Sequence, residues 1–150
     1  KLKAVVTQNI DGLHQAAGSK RVLELHGNWT RLECTGCGAR STIDDFDEAR
    51  AGRVPHCPSC SAVVRPDIVF YGEALDPAML EGAVLAIAGA DMLIVGGTSL
   101  AVYPAAGLID YYQGGRLVLM NATPTPYDGR ADLIIREPIG CVFAQIQGHV

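Results

Sequence analysis

Two groups of residues in this sequence have the types and spacing to do chemistry. The first is Thr7-Gln8-Asn9-Ile10-Asp11-Gly12-Leu13-His14, followed at a short distance by Glu24-Leu25-His26-Gly27. Gln8, Asn9 and Asp11 offer donors and acceptors suited to an amide and to sugar hydroxyls. His26 offers an imidazole that can act as a general base. A plainer reading stands beside this one: Asn9 and Asp11 are common turn residues, and Asp11 could cap a short helix over 13–17. The second group is Cys34-x2-Cys37-x19-Cys57-x2-Cys60. Each C-x2-C forms a tight knuckle that aims two thiolates at one point. Two knuckles complete a tetrahedral all-cysteine Zn2+ site with no open position, which marks it as structural. Gly36 and Gly38 permit the turns such a knuckle needs, and His56 beside Cys57 reads as a bystander.

The elements that must position these groups follow from the apolar pattern. Residues 2–6 form a mostly apolar run that predicts a buried strand, so the polar cluster sits where that strand ends. Residues 13–17 predict a short helix ended by Gly18, and 22–25 a short extended run leading to His26. Between 34 and 60 apolar density falls while Cys, Gly, Ser and Asp rise. This composition shift predicts an inserted module, with a short polar helix over 44–50, Thr42 as its cap and Gly52 past its end. The stretch has too few apolar residues for a core of its own, so zinc would contribute to its folding. The predicted organisation is 1–32 as the first part of a nucleotide-binding lobe, 33–62 as a zinc-binding module, and 63–150 as the second part of the lobe.

Further along, 68–71 predicts a strand closed by Gly72. Asp76-Pro77 opens a helix as N-cap and first residue, with Leu80, Val84, Leu85 and Ile87 on its buried face and Gly89 at its end. Residues 92–95, 117–120 and 133–135 read as strands, 103–112 and 139–147 as helices. Continuous apolar strands alternating with helices predict an α/β fold, a Rossmann-like doubly wound parallel sheet covered on both faces. Right-handed crossovers would put the carboxyl ends of all strands on one rim. That rim would carry Gln8-Asn9-Asp11, Gly97-Thr98-Ser99 and Asn121, where open α/β sheets place their ligands. Gly96-Gly97-Thr98-Ser99 lets a ligand approach the backbone, and its amides and hydroxyls can donate to ribose or phosphate. A tight strand-to-helix turn is the alternative, and the chain holds no G-x-G-x-x-G fingerprint.

Composition narrows the classes. The chain has 150 residues, of which 49% are hydrophobic and 19% charged, enough for a packed core and too few charges for a disordered chain. A net charge of −4 and few Lys or Arg around the cysteines argue against direct binding to nucleic acid. No apolar run is long enough to span a bilayer and no secretory signal is present, which predicts a soluble cytoplasmic protein without membrane association. Five cysteines, four paired by spacing and Cys141 alone, suit metal binding in a reducing compartment better than disulfides.

Taken in order, Thr7 to His14 with Glu24-Leu25-His26-Gly27, the two C-x2-C pairs, Arg65-Pro66-Asp67-Ile68-Val69-Phe70-Tyr71-Gly72-Glu73, and Gly97-Thr98-Ser99-Leu100 resemble the sirtuins, the NAD-dependent protein deacylases. The compact zinc insert and Val102-Tyr103-Pro104-Ala105-Ala106 are most similar to the bacterial and archaeal type. The resemblance covers nearly the whole chain. It implies that Gln8, Asn9, Ile10 and Asp11 line a nicotinamide and ribose pocket, and that His26 acts as general base on a ribose hydroxyl. It implies catalytic roles for His26 and Asn9, with NAD as co-substrate and one structural Zn2+ on Cys34, Cys37, Cys57 and Cys60. Gly97, Thr98 and Ser99 would hold phosphate and ribose, and Asn121 and Cys141 the adenosine end. Val69, Phe70, Tyr71 and Gly72 would pair with an acyl-lysine peptide as an added strand. The acyl group would pass to ADP-ribose and nicotinamide would be released.

Two departures from the family pattern stand out. Gly140 occupies a position where the family often has Asp before Cys141. Nothing in residues 1–6 matches the glycine-rich phosphate loop and cofactor loop that precede this region in sirtuins. The chain therefore resembles the C-terminal part of a sirtuin, and the expectation is that these 150 residues alone neither bind NAD at micromolar levels nor deacylate a peptide. The alternatives are a mono-ADP-ribosyltransferase on the same scaffold and a non-catalytic zinc-ribbon binding fragment. The presence of both Asn9 and His26 favours deacylation.

Overall fold

Short strands at the ends of apolar runs build this chain, whose computed structural model describes residues 1–147. The chain divides into two units, Lys1–Leu80 and Glu81–Val150.

In the first unit, β1 (Val5–Thr7) and β2 (Val22–Glu24) pair in parallel, with Val5 opposite Val22 and Thr7 opposite Glu24. The strand starts later than the apolar run predicts. Pairing begins at Val5, and Leu2 stays 74% exposed. Between β1 and β2 lies α1 (Leu13–Ala16), entered through Gly12 at φ +70°. The Asp11 carboxylate accepts the Leu13 N–H at 3.0 Å, so the turn role foreseen for Asp11 is realised.

The second ladder is antiparallel, in the order β4 (Arg40–Thr42), β3 (Gly27–Cys34), β5 (Val64–Ile68). Pro66 sits on the edge strand β5, where its missing N–H removes no interior bond. The β3–β5 register jumps between Asn28 and Leu32, so Trp29, Thr30 and Arg31 bulge out of the ladder. Asn28 stabilises the bulge: its side-chain oxygen accepts the Thr30 N–H at 2.9 Å and the Thr30 hydroxyl at 2.7 Å. Leu32, Cys34, Phe46, Cys57 and Val64 form the buried cluster beneath the module. The polar helix expected over 44–50 is a 3₁₀ turn, Ile43–Asp45, followed by α2 (Asp47–Arg50). Thr42 and Asp45 form a capping box at its start.

The strand expected over 68–71 is displaced. β5 ends at Ile68, and Phe70 to Glu73 make a turn with Gly72 at φ +88°. Two bonds close it: the Glu73 N–H to the Phe70 carbonyl at 3.0 Å, and the Phe70 N–H to the Glu73 carboxylate at 2.9 Å. Asp76 then accepts the Ala78 N–H at 2.8 Å and starts α3 (Pro77–Ala88), as Asp-Pro predicts.

In the second unit, α3 buries Ala83 and Ile87 rather than the full predicted face, and Leu85 is 64% exposed. β6 (Leu93–Gly96), β7 (Leu117–Met120) and β8 (Leu133–Ile135) pair in parallel with β7 in the middle. All four β7 residues are buried, as a central strand covered on both faces requires. α4 (Ile139–Gln147) sets Val142 into a cluster with Val118, Met120 and Ile135. The helix expected over 103–112 is a 3₁₀ helix, Ala105–Tyr111. Gly107 is a poor α-helix former, and burial of Ala105, Ala106, Leu108 and Ile109 sets the local winding instead. Parallel strands alternating with helices, plus an antiparallel metal-type module, make up the Rossmann-like α/β pattern with an insert.

Candidate functional site

The loop after β1 is tied down by its own backbone. Thr7 is buried, and its hydroxyl accepts the Asn9 N–H at 3.0 Å. The Leu25 N–H donates to the Thr7 carbonyl at 2.9 Å, and the Trp29 N–H to the Ile10 carbonyl at 3.1 Å. Gln8 to Asp11 are thereby held beside the segment that carries His26.

His26 lies half-buried with Nδ1 2.9 Å from the Gln8 carbonyl oxygen. A carbonyl only accepts, so Nδ1 must carry the proton, and the neutral ring keeps its lone pair at Nε2. The structure thus brings His26 and Gln8 together and leaves the lone pair at Nε2. Asn9 and Asp11 are exposed, with Ile10 half-buried between them. Gly27 follows His26 at φ +79°, and a Cβ there would collide with the Asp67 carbonyl. Only glycine lets β3 approach β5 at this point.

Below this loop runs a polar network that spacing did not reveal. Glu24 is 5% exposed, and its carboxylate accepts the Asn28 amide at 2.7 Å and the Arg31 guanidinium at 2.6 Å. Arg31 also reaches Asp67 at 3.0 Å. Burial raises the Glu24 pKa, but the hydrogen bonds from Arg31, Asn28 and Gln15 outweigh it and leave it below the usual value. The pairing depends on the bulge in β3, a tertiary feature with no short-range signature.

The four cysteines converge as their spacing predicts. Their Sγ atoms all lie within 4.8 Å of one another, with Cys34 to Cys60 at 3.4 Å and Cys37 to Cys57 at 3.7 Å. A tetrahedron of Zn–S bonds of about 2.3 Å has edges of about 3.8 Å. The donor set therefore fits Zn2+. The N–H groups of Cys37 and Gly36 draw the Cys34 thiol down to about 6. The Ala62 N–H favours thiolate at Cys60, but the hydrogen bonds with Cys34, Cys37 and Cys57 together with burial outweigh it, and the thiol is pushed up to about 12. Without metal the cluster holds protons that Zn2+ would displace on binding.

In the second unit, Gly97 (φ +66°) and Asn121 follow the carboxyl ends of β6 and β7, whose last residues Gly96 and Met120 are register partners. The Gly97 N–H donates to the Met120 carbonyl at 3.0 Å, so it is engaged within the fold. The Thr98 hydroxyl accepts the Leu100 N–H at 3.2 Å, and Ser99 is exposed. Asn121 donates its side-chain amide to the Thr123 carbonyl at 2.8 Å. Arg136 braces the same loop, reaching the carbonyls of Asn121 and Thr123 at 3.2 and 3.3 Å and pairing with Asp128. A Cβ on Gly96 would collide with Ile139, so glycine there admits the start of α4. Cys141 stands exposed in that helix.

At 68–73, Val69 is half-buried while Phe70, Tyr71 and Gly72 are exposed. The Val69 N–H donates to the His26 carbonyl at 3.0 Å, which joins this segment to the His26 backbone.

The Sir2 family model matches residues 1–104. This chain belongs to the Sir2 family. A "NAD-dependent protein deacetylase" of Clostridium acetobutylicum is 51% identical over 146 residues, covering 97% of this chain and 59% of the relative. The chain thus spans about three fifths of that relative's length. Among solved structures, one described as "Sir2-p53 peptide-NAD+" superposes with TM-score 0.89 at 41% identity, covering 98% of this chain and 62% of the other. A Sir2 complex with an inhibitor, 2'-O-acetyl-ADP-ribose and deacetylated p53 peptide gives TM-score 0.87 at 41% identity, covering 98% and 64%. The Rossmann-like fold with its cysteine module is therefore that of the Sir2 family. Among the described residues, no helix is long and apolar enough to cross a membrane.

Proposed function

We propose that the full-length protein is an NAD-dependent protein-lysine deacylase, acting on acyl-lysine peptides. The observation that carries this reading is the hydrogen bond from His26 Nδ1 to the Gln8 carbonyl at 2.9 Å, which leaves Nε2 as the free base. The Sir2 relatives described with NAD, acyl peptides and 2'-O-acetyl-ADP-ribose support it.

His26 takes a proton from a ribose hydroxyl at Nε2 and passes it to the lysine nitrogen as the acyl C–N bond breaks, so that the acyl group ends on that ribose oxygen; one water supplies the remaining oxygen of the product. Gln8 keeps the ring in the tautomer this needs. Asn9, Ile10 and Asp11 present the nicotinamide and ribose surface on a loop already closed by Thr7 and Asp11. Gly97, Thr98 and Ser99 meet phosphate and ribose, and Asn121 and Cys141 the adenosine end. NAD, when bound, supplies the ribose carbon from which nicotinamide leaves. Val69 to Gly72 present backbone to the substrate peptide. Cys34, Cys37, Cys57 and Cys60 hold one Zn2+ that takes no part in the chemistry, and residues 33–62 form the module built round it.

Mass spectrometry of the full-length protein with NAD and an acetyl-lysine peptide tests the reading. Free lysine peptide, nicotinamide and O-acetyl-ADP-ribose should appear in equal amounts. His26→Ala should lower turnover by about 10²-fold or more with zinc content unchanged. Nicotinamide release accompanied by an ADP-ribosylated peptide, with the acetyl group retained, would instead assign the transferase alternative.

A further inference from the structure

The segment 68–73 poses a mechanical problem. It starts at Ile68, the last residue of β5, its middle is exposed, and Tyr71 carries no burial at all. A peptide can pair with such a segment at low cost only if the segment's shape is set beforehand. Backbone pairing does little of this: one bond ties Val69 to His26 and one closes the Phe70–Glu73 turn.

Arg65 and Glu73 do the rest. Arg65 stands within β5, in register with Glu33 of β3, so its backbone is fixed. Its guanidinium forks onto both Glu73 carboxylate oxygens at 2.7 and 2.8 Å. The same guanidinium donates to the Ile68 carbonyl at 2.9 Å and lies 4.6 Å from the centre of the Phe70 ring. Glu73 Oε2 in turn accepts the Phe70 N–H. One side chain on a paired strand thus grips the segment at its entry, its aromatic ring and its exit. A bidentate pair fixes direction as well as distance, which a lysine could not do.

We propose that Arg65 and Glu73 are positioning residues for substrate: their ion pair pre-forms the segment 69–72 for the acyl-lysine peptide. This rests on the deacylase reading, in which that segment receives the peptide. The clamp acts through the Ile68 carbonyl and the Phe70 N–H, on either side of Val69.

Binding of a fluorescent acetyl-lysine peptide, measured on the full-length protein without turnover, tests this, alongside steady-state kinetics. Glu73→Ala should weaken peptide binding and raise the peptide KM by about tenfold or more, while the KM for NAD and the zinc content stay as in the wild type. Arg65→Lys, which keeps the charge but loses the fork, should fall between. Should Glu73→Ala lose zinc or helical signal, Glu73→Gln replaces it, with the same split expected. Wild-type affinity in folded Glu73 variants, or equal rises in both KM values, overturns the clamp and leaves the deacylase reading standing. A wild-type protein that binds no acetyl-lysine peptide overturns both.

Discussion

At His26 a single hydrogen bond decides which ring nitrogen is basic, and the partner is a main-chain carbonyl that no side-chain substitution removes. Glu73 is held by side-chain charge instead. The Arg65 guanidinium and the Phe70 N–H take its pKa from the ordinary 4.5 down to about 2. A carboxylate lowered on folding stabilises the native state above its unfolded pKa, and that contribution is lost as pH falls through the folded one. The Glu73 contribution should therefore be complete above pH 4.5, shrink below it, and vanish near pH 2. Carbon-detected NMR of the Glu73 carboxyl should give a midpoint near 2; a midpoint near 4.5 would show that the clamp is not formed in solution. The types and spacing of the sequence brought out the four cysteines, which converge, and put forward His26 and Asp11 as candidates, because these are local or paired signals. Arg65 with Glu73, and Glu24 with Arg31, escaped it, because each joins residues across a turn or a bulge that no short-range pattern encodes.

Among the elements, β7, β8 and α4 were legible to the residue, since β7 and β8 are short apolar runs between polar residues and α4 starts just after Pro138. β5 was misplaced because its strand residues include Pro66 and charged side chains, while the apolar run after it is bent by Gly72. The predicted face of α3 was too wide, since amphipathic spacing allows more burial than the packing uses. β7 is the element on which the second unit is built: Leu119 is 1% exposed and paired on both sides. Leu119→Ala should destabilise the protein by about 2–5 kcal/mol through lost burial and the cavity left behind. Denaturant titration followed by circular dichroism measures this. A loss under 1 kcal/mol would mean that the site collapses around the smaller side chain.

For the molecule as a whole, metal and apolar burial stabilise different parts. The cluster of Leu32, Cys34, Phe46, Cys57 and Val64 is small and includes two of the four thiol ligands, whereas the β7 core contains none. Removing zinc with a chelator should therefore strip amide-exchange protection from β3, β4 and β5 while β7 keeps its own. Retention of protection in β4 after complete zinc loss would show that the apolar cluster suffices. The α/β class and the insert were readable from the alternation of apolar runs and the shift in composition. The separate ladders were not, because strand pairing is settled by contacts far apart in the chain.

Cys34 and Val64 are register partners, one at the end of β3 and the other at the start of β5. Everything between them is an excursion that leaves and re-enters the chain path at nearly one point, because paired strand residues stand only about 5 Å apart. The closure entropy of such an excursion grows slowly, and doubling its length adds only about 0.6 kcal/mol. Length is therefore nearly free to drift in the loops of that excursion, outside β4 and the buried Phe46. Insertions or deletions between the knuckles can accumulate while the spacing from His26 through Gly27 to the bulge is kept, so lineages of this fold can exchange the outer ornament without disturbing the base.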